Sequence, residues 1–300
     1  MKHVTILSIC LFFFSGIRGN VPAVQAQSEC FALAMEGKDT QALVSMFIEE
    51  SILLPEYAPM LQGQARIRGY FEDLFLATET VHFEKHPFEI QQYDTYVVEL
   101  GTYKHRYKTV NETPIDYDGK YLTFWRMEGD TPIIIAHIWG ASKYMEATQL
   151  VFEKPVSESP SFEIKPTEWS RAIEYIRLKA YDAVLKGNAN KQTEPYADDA
   201  VYMTYYDPPY IGKTRILDYY RDHYDPSVTR DSLMTKAVRI IELDSHALKF
   251  GEYYVEWTYE NEAYYIRGKG LSVFRKRADG QVEIYRQMIN HSMPPKSKNP

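Results

Sequence analysis

The chain has few cysteines, no excess of basic residues and no long hydrophobic run. Its two cysteines cannot form a disulfide framework or, by themselves, a structural zinc site. A formal net charge of −7 provides no basic surface, so neither nucleic acid nor an anionic membrane is expected as a partner. The sequence also lacks a glycine-rich phosphate loop, a G-x-S-x-G elbow and an H-E-x-x-H motif. We therefore expect no bound metal and no cofactor.

What the sequence does contain is an unusual number of tyrosines. There are 25 of them beside 14 phenylalanines and 4 tryptophans, in a chain whose 45% hydrophobic and 25% charged residues are otherwise ordinary for a globular protein. Amphipathic rings suit half-buried strands and semi-polar cavities. Because 300 residues exceed what a single core usually supports, two domains with a pocket are expected.

The N-terminus has the pattern of a signal peptide. Lys2 precedes an apolar run over residues 4–14, and Val24 and Ala26 occupy the −3 and −1 positions of a cleavage site after Ala26. The run is too short to cross a bilayer about 30 Å thick. The sequence thus predicts a signal peptide over 1–26 and secretion, with the periplasm as the expected compartment and no membrane association after cleavage. An uncleaved anchor is the alternative.

The rest of the chain contains two copies of one sequence unit, and equivalent residues are 149 or 150 positions apart. The aligned pairs include Gly37 with Gly187, Phe47 with Tyr196, Pro59 with Pro208, Gly63 with Gly212, Ile67 with Ile216 and Leu122 with Leu271. A Pro- and Ser-rich stretch separates the two copies. This predicts a first domain over 27–150, a linker over 151–167, a second domain over 168–293 and a tail over 294–300.

Within each copy the hydrophobic period changes from helical to alternating. In the first copy, helical spacing over 31–47 and 65–75 precedes alternation near 81–91, 95–109, 117–128 and 132–145. Helices followed by an antiparallel meander predict an α+β fold.

Local strings in both copies resemble the SnoaL-like, nuclear-transport-factor-2-like superfamily, which includes the ketosteroid-isomerase-like cone. The strings are FIEESILLP and YADDAVYMT, the G-x-x-x-I-x-x-Y turn into a helix, and GKYLTFWR followed by IIIAHIWGAS. The resemblance implies two tandem cone-shaped domains, each with helices packed on a curved antiparallel sheet. It does not imply one activity, because the superfamily includes several enzyme classes and proteins with no known reaction.

Ketosteroid isomerase activity is not expected, because the residues that the family uses for it are replaced. The position of the catalytic Asp is Pro55 in the first copy and Thr204 in the second. The positions of the oxyanion Tyr and Asp are Cys30 and Thr123, or Ala180 and Ser272. Glu56 lies one residue from the base position, where a shifted loop would let it act as the base. Whether the protein is an enzyme stays open.

Strand alternation places two histidines inside an aromatic cup in the first cone. His105 and His137 are candidate acid/base residues with Glu56, since a half-buried imidazole titrates near neutrality. The predicted ligand-binding residues are Tyr57, Tyr103, Tyr107, Tyr121, Thr123, Trp125 and Trp139. The second cone lacks both histidines, so the first is expected to be the working one. In the alternative interpretation both histidines are hydrogen-bonded core residues and the rings fill the core.

Two hypotheses from different classes follow. In the first, the protein binds a small apolar or semi-polar molecule in the first cone, with or without slow acid/base chemistry. In the second, it is a non-catalytic interaction module whose two copies pack sheet to sheet as an internal pseudo-dimer, with a homo-oligomer as a further arrangement. Residues Leu122, Phe124, Leu271 and Val273 on the outer faces of matching strands are consistent with this packing, and the two hypotheses are compatible.

Overall fold

The protein consists of two similar α+β domains in tandem. A computed structural model describes residues 20–109, 114–144, 159–294 and 296–297. The first domain contains, in chain order, α1 (Asn20–Glu36), α2 (Thr40–Ser45), β1 (Phe47–Leu54), β2 (Leu61–Gln62), α3 (Gln64–Ala77), β3 (Glu79–Tyr93), β4 (Tyr96–Lys108), β5 (Pro114–Glu128) and β6 (Thr131–Ala141). The second contains α4 (Glu168–Leu185), α5 (Ala189–Thr193), β7 (Tyr196–Met203), β8 (Tyr210–Ile211), α6 (Lys213–His223), β9 (Thr229–Glu242), β10 (His246–Tyr259), β11 (Glu262–Lys276), β12 (Val282–His291) and β13 (Lys296–Ser297). Most of the predicted signal peptide, the first part of the linker and most of the tail lie outside the described residues.

Each domain has one sheet with helices on one face. The strand orders are β2-β1-β6-β5-β4-β3 and β8-β7-β12-β11-β10-β9, with β13 added beside β11. The four long strands form the predicted antiparallel meander, but β1 pairs in parallel with β6, and β7 with β12. The sheets are therefore mixed, which corrects the expected all-antiparallel arrangement. Alternation within a strand does not specify which distant strand it joins.

The helices bury the faces that the sequence pattern predicts, and some of them begin with a side-chain cap. In α3, Ile67, Tyr70, Phe71 and Leu74 are buried at i, i+3, i+4 and i+7. Side-chain caps begin the short helices α2 and α5, at Asp39 and Asn188.

The structure revises one detail of the internal alignment. Gly187 adopts a left-handed conformation with φ 59°, and the residue with the matching conformation is Lys38 at φ 54°. The sequence alignment had paired Gly187 with Gly37. The helical segments of the two domains therefore correspond at an offset of 149, which pairs Phe31 with Ala180.

The two sheets pack back to back through a shared apolar core. Leu122, Phe124, Leu271 and Val273 are all fully buried in one cluster to which both domains contribute. This is the sheet-to-sheet packing that the outer-face residues predict. The two domains form an internal pseudo-dimer.

Paired hydrogen bonds across the interface follow an approximate twofold symmetry. The Tyr57 amide donates to the carbonyl of His291 at 2.8 Å, and the equivalent Tyr206 amide donates to the carbonyl of Ala141 at 3.1 Å. Both tyrosines have positive φ angles, 54° and 60°, and their hydroxyl groups are hydrogen-bonded to each other. Fully buried Asn290 adds two bonds, at 2.8 and 2.6 Å, to carbonyl groups of the first domain.

The first domain extends further toward the N-terminus than predicted. Helix α1 begins at Asn20 and runs through the predicted cleavage point after Ala26. Val24 in its second turn is fully buried in the core of the first domain, as is the equivalent Ile173 of α4. Residues 20–26 are thus part of the folded domain. No helix among the described residues is both long enough and apolar enough to cross a membrane.

Candidate ligand-binding site

The first cone contains a cavity of only about 90 Å³. Its wall includes all three candidate acid/base groups, His105, His137 and Glu56. It also includes five of the seven predicted ligand-binding residues, namely Tyr57, Tyr103, Tyr107, Tyr121 and Trp139. These residues thus lie together on the wall of one cavity. The volume is nevertheless small beside the roughly 300–1,000 Å³ of typical ligand pockets.

The other two predicted ligand-binding residues, Thr123 and Trp125, lie behind the cavity wall. Neither has any solvent exposure. The Thr123 hydroxyl is 2.8 Å from Nδ1 of His137, and Trp125 Nε1 donates to Glu99 Oε2 at 2.9 Å. Both lie on the cone side of the sheet, but neighbouring side chains separate them from the cavity.

The two histidines are held in their neutral form. Burial lowers the pKa of His105 to about 4, and its Nε2 is 3.2 Å from the hydroxyl of Thr80. Burial, with the positive charge of Lys85 as a second cause, lowers the pKa of His137 well below its ordinary value. These pKa shifts differ from the titration near neutrality that the sequence predicts, because the cup is too closed to hydrate an imidazolium ion.

A buried carboxylate, that of Glu99, lies at the inner end of the first cone. Glu99, which has no solvent exposure, accepts hydrogen bonds from Ser28 and Tyr121 at 2.6 Å each, besides the bond from Trp125. Its Oε1 is 3.2 Å from Nζ of Lys85. Burial alone would raise the pKa of Glu99, but Lys85 and these donors hold it below its ordinary value. The charge is fully satisfied from within the domain.

Glu56 occupies the boundary between the first cone and the interface. Its Oε2 accepts from the Tyr117 hydroxyl at 2.6 Å and from the Ala141 amide at 3.1 Å, while Oε1 is buried without a partner among the described residues. Burial raises the pKa of Glu56, against the opposing effects of Tyr117 and of two buried lysines, Lys120 and Lys269. Tyr117 was not among the predicted residues, although it lies two residues before the GKYLTFWR string.

The second cone contains a much larger cavity, of about 520 Å³. The strand registers and the helix offset identify which first-cone residues have smaller counterparts there. From the first cone to the second, these exchanges are Phe31 to Ala180, Tyr121 to Gly270, His137 to Gln287 and Trp139 to Ile289. Each exchange removes bulk from the cone interior, so the second cone stays open where the first is filled.

Tyrosine rings and a few polar groups line this larger cavity. The rings of Tyr202 and Tyr220 are stacked at 5.7 Å between centroids. Tyr196 donates its hydroxyl hydrogen to Oε1 of Gln287 at 2.5 Å, and Nε2 of Gln287 donates to the Ser272 hydroxyl at 2.9 Å. An apolar, aromatic wall with a few fixed polar groups is the usual composition of a small-molecule site.

Charged residues also reach the second cavity. Lys249 lines it, and its Cε lies 3.1 Å from where a Cβ on Gly251 would be. Arg177 lines it as well, donating to Thr235 Oγ1 at 3.0 Å and to both carboxylate oxygens of Glu174 at 2.6 and 2.7 Å. Neither cation was among the residues predicted from the sequence. The alternation that places Tyr253 inward also places Lys249 inward, so the signal was present.

No cluster of three or more potential metal ligands was found among the residues that the structure describes.

Comparison with known proteins gives similarities to solved structures only. No family model matches the chain, and no curated protein matches it. A ketosteroid isomerase-like protein from Erwinia carotovora atroseptica is 18% identical and covers 43% of this chain and 99% of its own, with a TM-score of 0.39. A hexachlorocyclohexane dehydrochlorinase is 14% identical, covering 43% and 88%, with a TM-score of 0.40. A calcium/calmodulin-dependent protein kinase II association domain from Xanthomonas campestris is 17% identical, covering 41% and 89%, with a TM-score of 0.37.

Each of these matches spans about one domain of the tandem. At these identities the similarity concerns the fold alone. The function must therefore be argued from the residues of this chain.

Proposed function

We propose that the protein binds a small, largely apolar molecule in its second cone. The observation that carries the proposal is the difference between the cavities, about 520 Å³ against about 90 Å³, within one duplicated fold. Protein interiors are close-packed, so a cavity of this size is unusual unless something occupies it. Its volume falls within the range of small-molecule pockets.

The wall of the cavity favours a ligand with a flat or aromatic body. The rings of Tyr202 and Tyr220 present apolar faces to the cavity, and their hydroxyl groups, at the edges of the rings, can form hydrogen bonds. Gln287 and Ser272 supply an amide and a hydroxyl on the neighbouring strands β12 and β11. This composition suits a semi-polar molecule better than a simple alkane.

In this proposal the first cone has a structural role. Its cavity is small, both histidines are neutral, and Glu99 has all its donors within the domain. Acid/base chemistry by His105 and His137 is therefore not proposed. The internal pseudo-dimer fixes the second cone against a rigid partner, so the two sequence hypotheses are compatible.

The N-terminal apolar run supports the further proposal that the protein is secreted into the periplasm. Because α1 begins at Asn20 and buries Val24, we place any cleavage before Asn20 rather than after Ala26. N-terminal sequencing of the protein from the periplasmic and cytoplasmic fractions tests both statements. Recovery of a chain that begins at Gln27 would contradict the proposed cleavage position.

The binding proposal is tested by filling the second cone with the first cone's own residues. The variant Ala180→Phe/Ile289→Trp introduces the side chain types of Phe31 and Trp139 at the equivalent positions. Titration with the neutral fluorescent probe N-phenyl-1-naphthylamine is expected to show saturable binding to the wild type and at least tenfold weaker binding to this variant.

A matched control carries the same side chains outside the cavity. Ala65 and Ile211 are exposed, Ile211 by 59%, so Ala65→Phe/Ile211→Trp should bind the probe like the wild type. Thermal unfolding of all three proteins verifies that each is folded. Equal probe affinity in the filled and wild-type proteins would refute binding in the second cone.

A further inference from the structure

One cation in the second cone has no hydrogen-bond acceptor among the described residues. The ammonium group of Lys249 makes no hydrogen bond or ion pair within the part of the chain that the structure describes, although the side chain is largely buried. The charged groups nearest in effect are Arg177 and Glu174. Those two are already paired with each other through two hydrogen bonds. A buried charge is normally paired, since an unpaired one is costly.

The equivalent position in the first cone carries a charge that is surrounded by hydrogen-bond donors from the same domain. There the residue is Glu99, with the opposite charge and four donor groups around it. From the first cone to the second, the positions of those donors change from Ser28 to Arg177, Lys85 to Thr235, Tyr121 to Gly270 and Trp125 to Phe274. None of the four replacements is an acidic residue. The charge at this position is reversed, and Lys249 has no acceptor among the residues that the structure describes.

Other charged residues of the wall do not provide the missing acceptor. Among the described residues lining the cavity, the acidic one is Glu252, which accepts a hydrogen bond from Ser159. His223 and His291 are held neutral by burial, which lowers the pKa of each. Arg230 lies over the ring of Tyr224. The charged residues that line the cavity are therefore positive on balance. Among them, Lys249 is the one without an acceptor among the described residues.

We propose that the ligand of the second cone is an apolar carboxylic acid, bound as its carboxylate against Lys249. This inference rests on the proposed function, because it assumes that the second cavity is a binding site. One unpaired ammonium group matches the single negative charge of one carboxylate. The aromatic wall would hold the apolar body of the acid, and Lys249 would fix its orientation.

The test compares 2-naphthoic acid with the uncharged 2-naphthamide by isothermal titration calorimetry at pH 7. The two compounds have the same body and differ in the charge of one group. We expect the wild type to bind the acid at least tenfold more tightly than the amide, since a charge-assisted hydrogen bond contributes about 1.5–3 kcal/mol. In Lys249→Met, which keeps the length of the side chain, this preference should disappear.

Lys236→Met is the matched control, because it removes the same charge from an exposed position on β9. It should keep the preference for the acid. Equal binding of acid and amide by the wild type, or a preference that survives in Lys249→Met, would overturn the inference. In that case saturable binding of the neutral naphthylamine probe would still support the second cone as a site. Failure of that probe to bind would overturn the proposed function itself.

Discussion

Replacing Lys249 by methionine is expected to stabilise the unliganded protein. Removal of a buried lysine usually disrupts a pair, but this ammonium has no acceptor among the described residues. Burial, with Arg177 as a second cause, lowers the pKa of Lys249 from 10.5 to about 8. At about 1.36 kcal/mol per pKa unit, this shift corresponds to an unfavourable contribution of about 3 kcal/mol from the charged form. Water in the cavity reduces the penalty, so we expect the variant to be more stable by about 1–3 kcal/mol at pH 7.

The sign of the pH dependence follows from the direction of the shift. A lysine whose pKa is lower in the folded state destabilises that state fully below its folded pKa, here about 8. Between about 8 and 10.5 the unfolded chain binds more protons than the folded chain, and the penalty declines as pH rises. Arg177 and Glu174, the charged groups that act on Lys249, keep their charges across this window. The stability gap between variant and wild type should therefore narrow from pH 8 to pH 10.5.

Urea unfolding monitored by circular dichroism measures this gap at pH 7, 8, 9 and 10. Lys236→Met provides the control for loss of one positive charge, and its stability should lie within about 0.5 kcal/mol of the wild type. A Lys249→Met protein less stable than the wild type at pH 7 would show that the ammonium group has an acceptor in the folded protein. That result would refute the reasoning from an unpaired charge.

Two further predictions concern the interface and the N-terminal helix. Asn290→Ala should lower the free energy of unfolding by about 1–3 kcal/mol, because two buried carbonyl groups of the first domain lose a donor. Asn190→Ala, at an exposed helical position, is the control in urea unfolding, and an equal effect of both would contradict the assigned role. A chain that begins at Gln27 should be less stable than one that begins at Asn20 by at least about 1.5 kcal/mol, because it lacks the buried Val24 side chain. Equal melting temperatures of the two chains would show that the first turns of α1 contribute nothing to the fold.

The sequence specified the local elements and the duplication because both depend on short-range patterns. Alternation identified the long strands to within a few residues, and helical spacing identified α3 through Ile67, Tyr70 and Phe71. It also identified the outer face that contains Leu122 and Leu271, which the structure buries between the domains. The parallel pairing of β1 with β6 joins strands about 80 residues apart, and no local pattern encodes such a pairing.

The relative size of the two cavities could not be predicted from strand alternation. Parity states which side chains point inward, but the free volume depends on how all of them pack together. The two histidines favoured the first cone as the functional one. The larger volume of the second cavity follows instead from exchanges such as Tyr121 to Gly270. Glu99 and Lys249 lie four residues before Tyr103 and Tyr253 on the same strands, so the same alternation places them inward.

Comparison of equivalent residues in the two copies indicates that different constraints act near the interface and inside the cones. Lys120 and Lys269 occupy equivalent positions, have no solvent exposure, and each donates to a backbone carbonyl at the end of the last long strand of its own sheet. That similarity lies near the interface, where each domain must fit the other and a change in one copy requires a change in its partner. Deeper inside the cones the two copies differ, and there the charge reverses from Glu99 to Lys249. A pseudo-dimer allows one copy to close its cone around an internal ion pair, while the other keeps an open cavity in which we propose that a ligand pairs with Lys249.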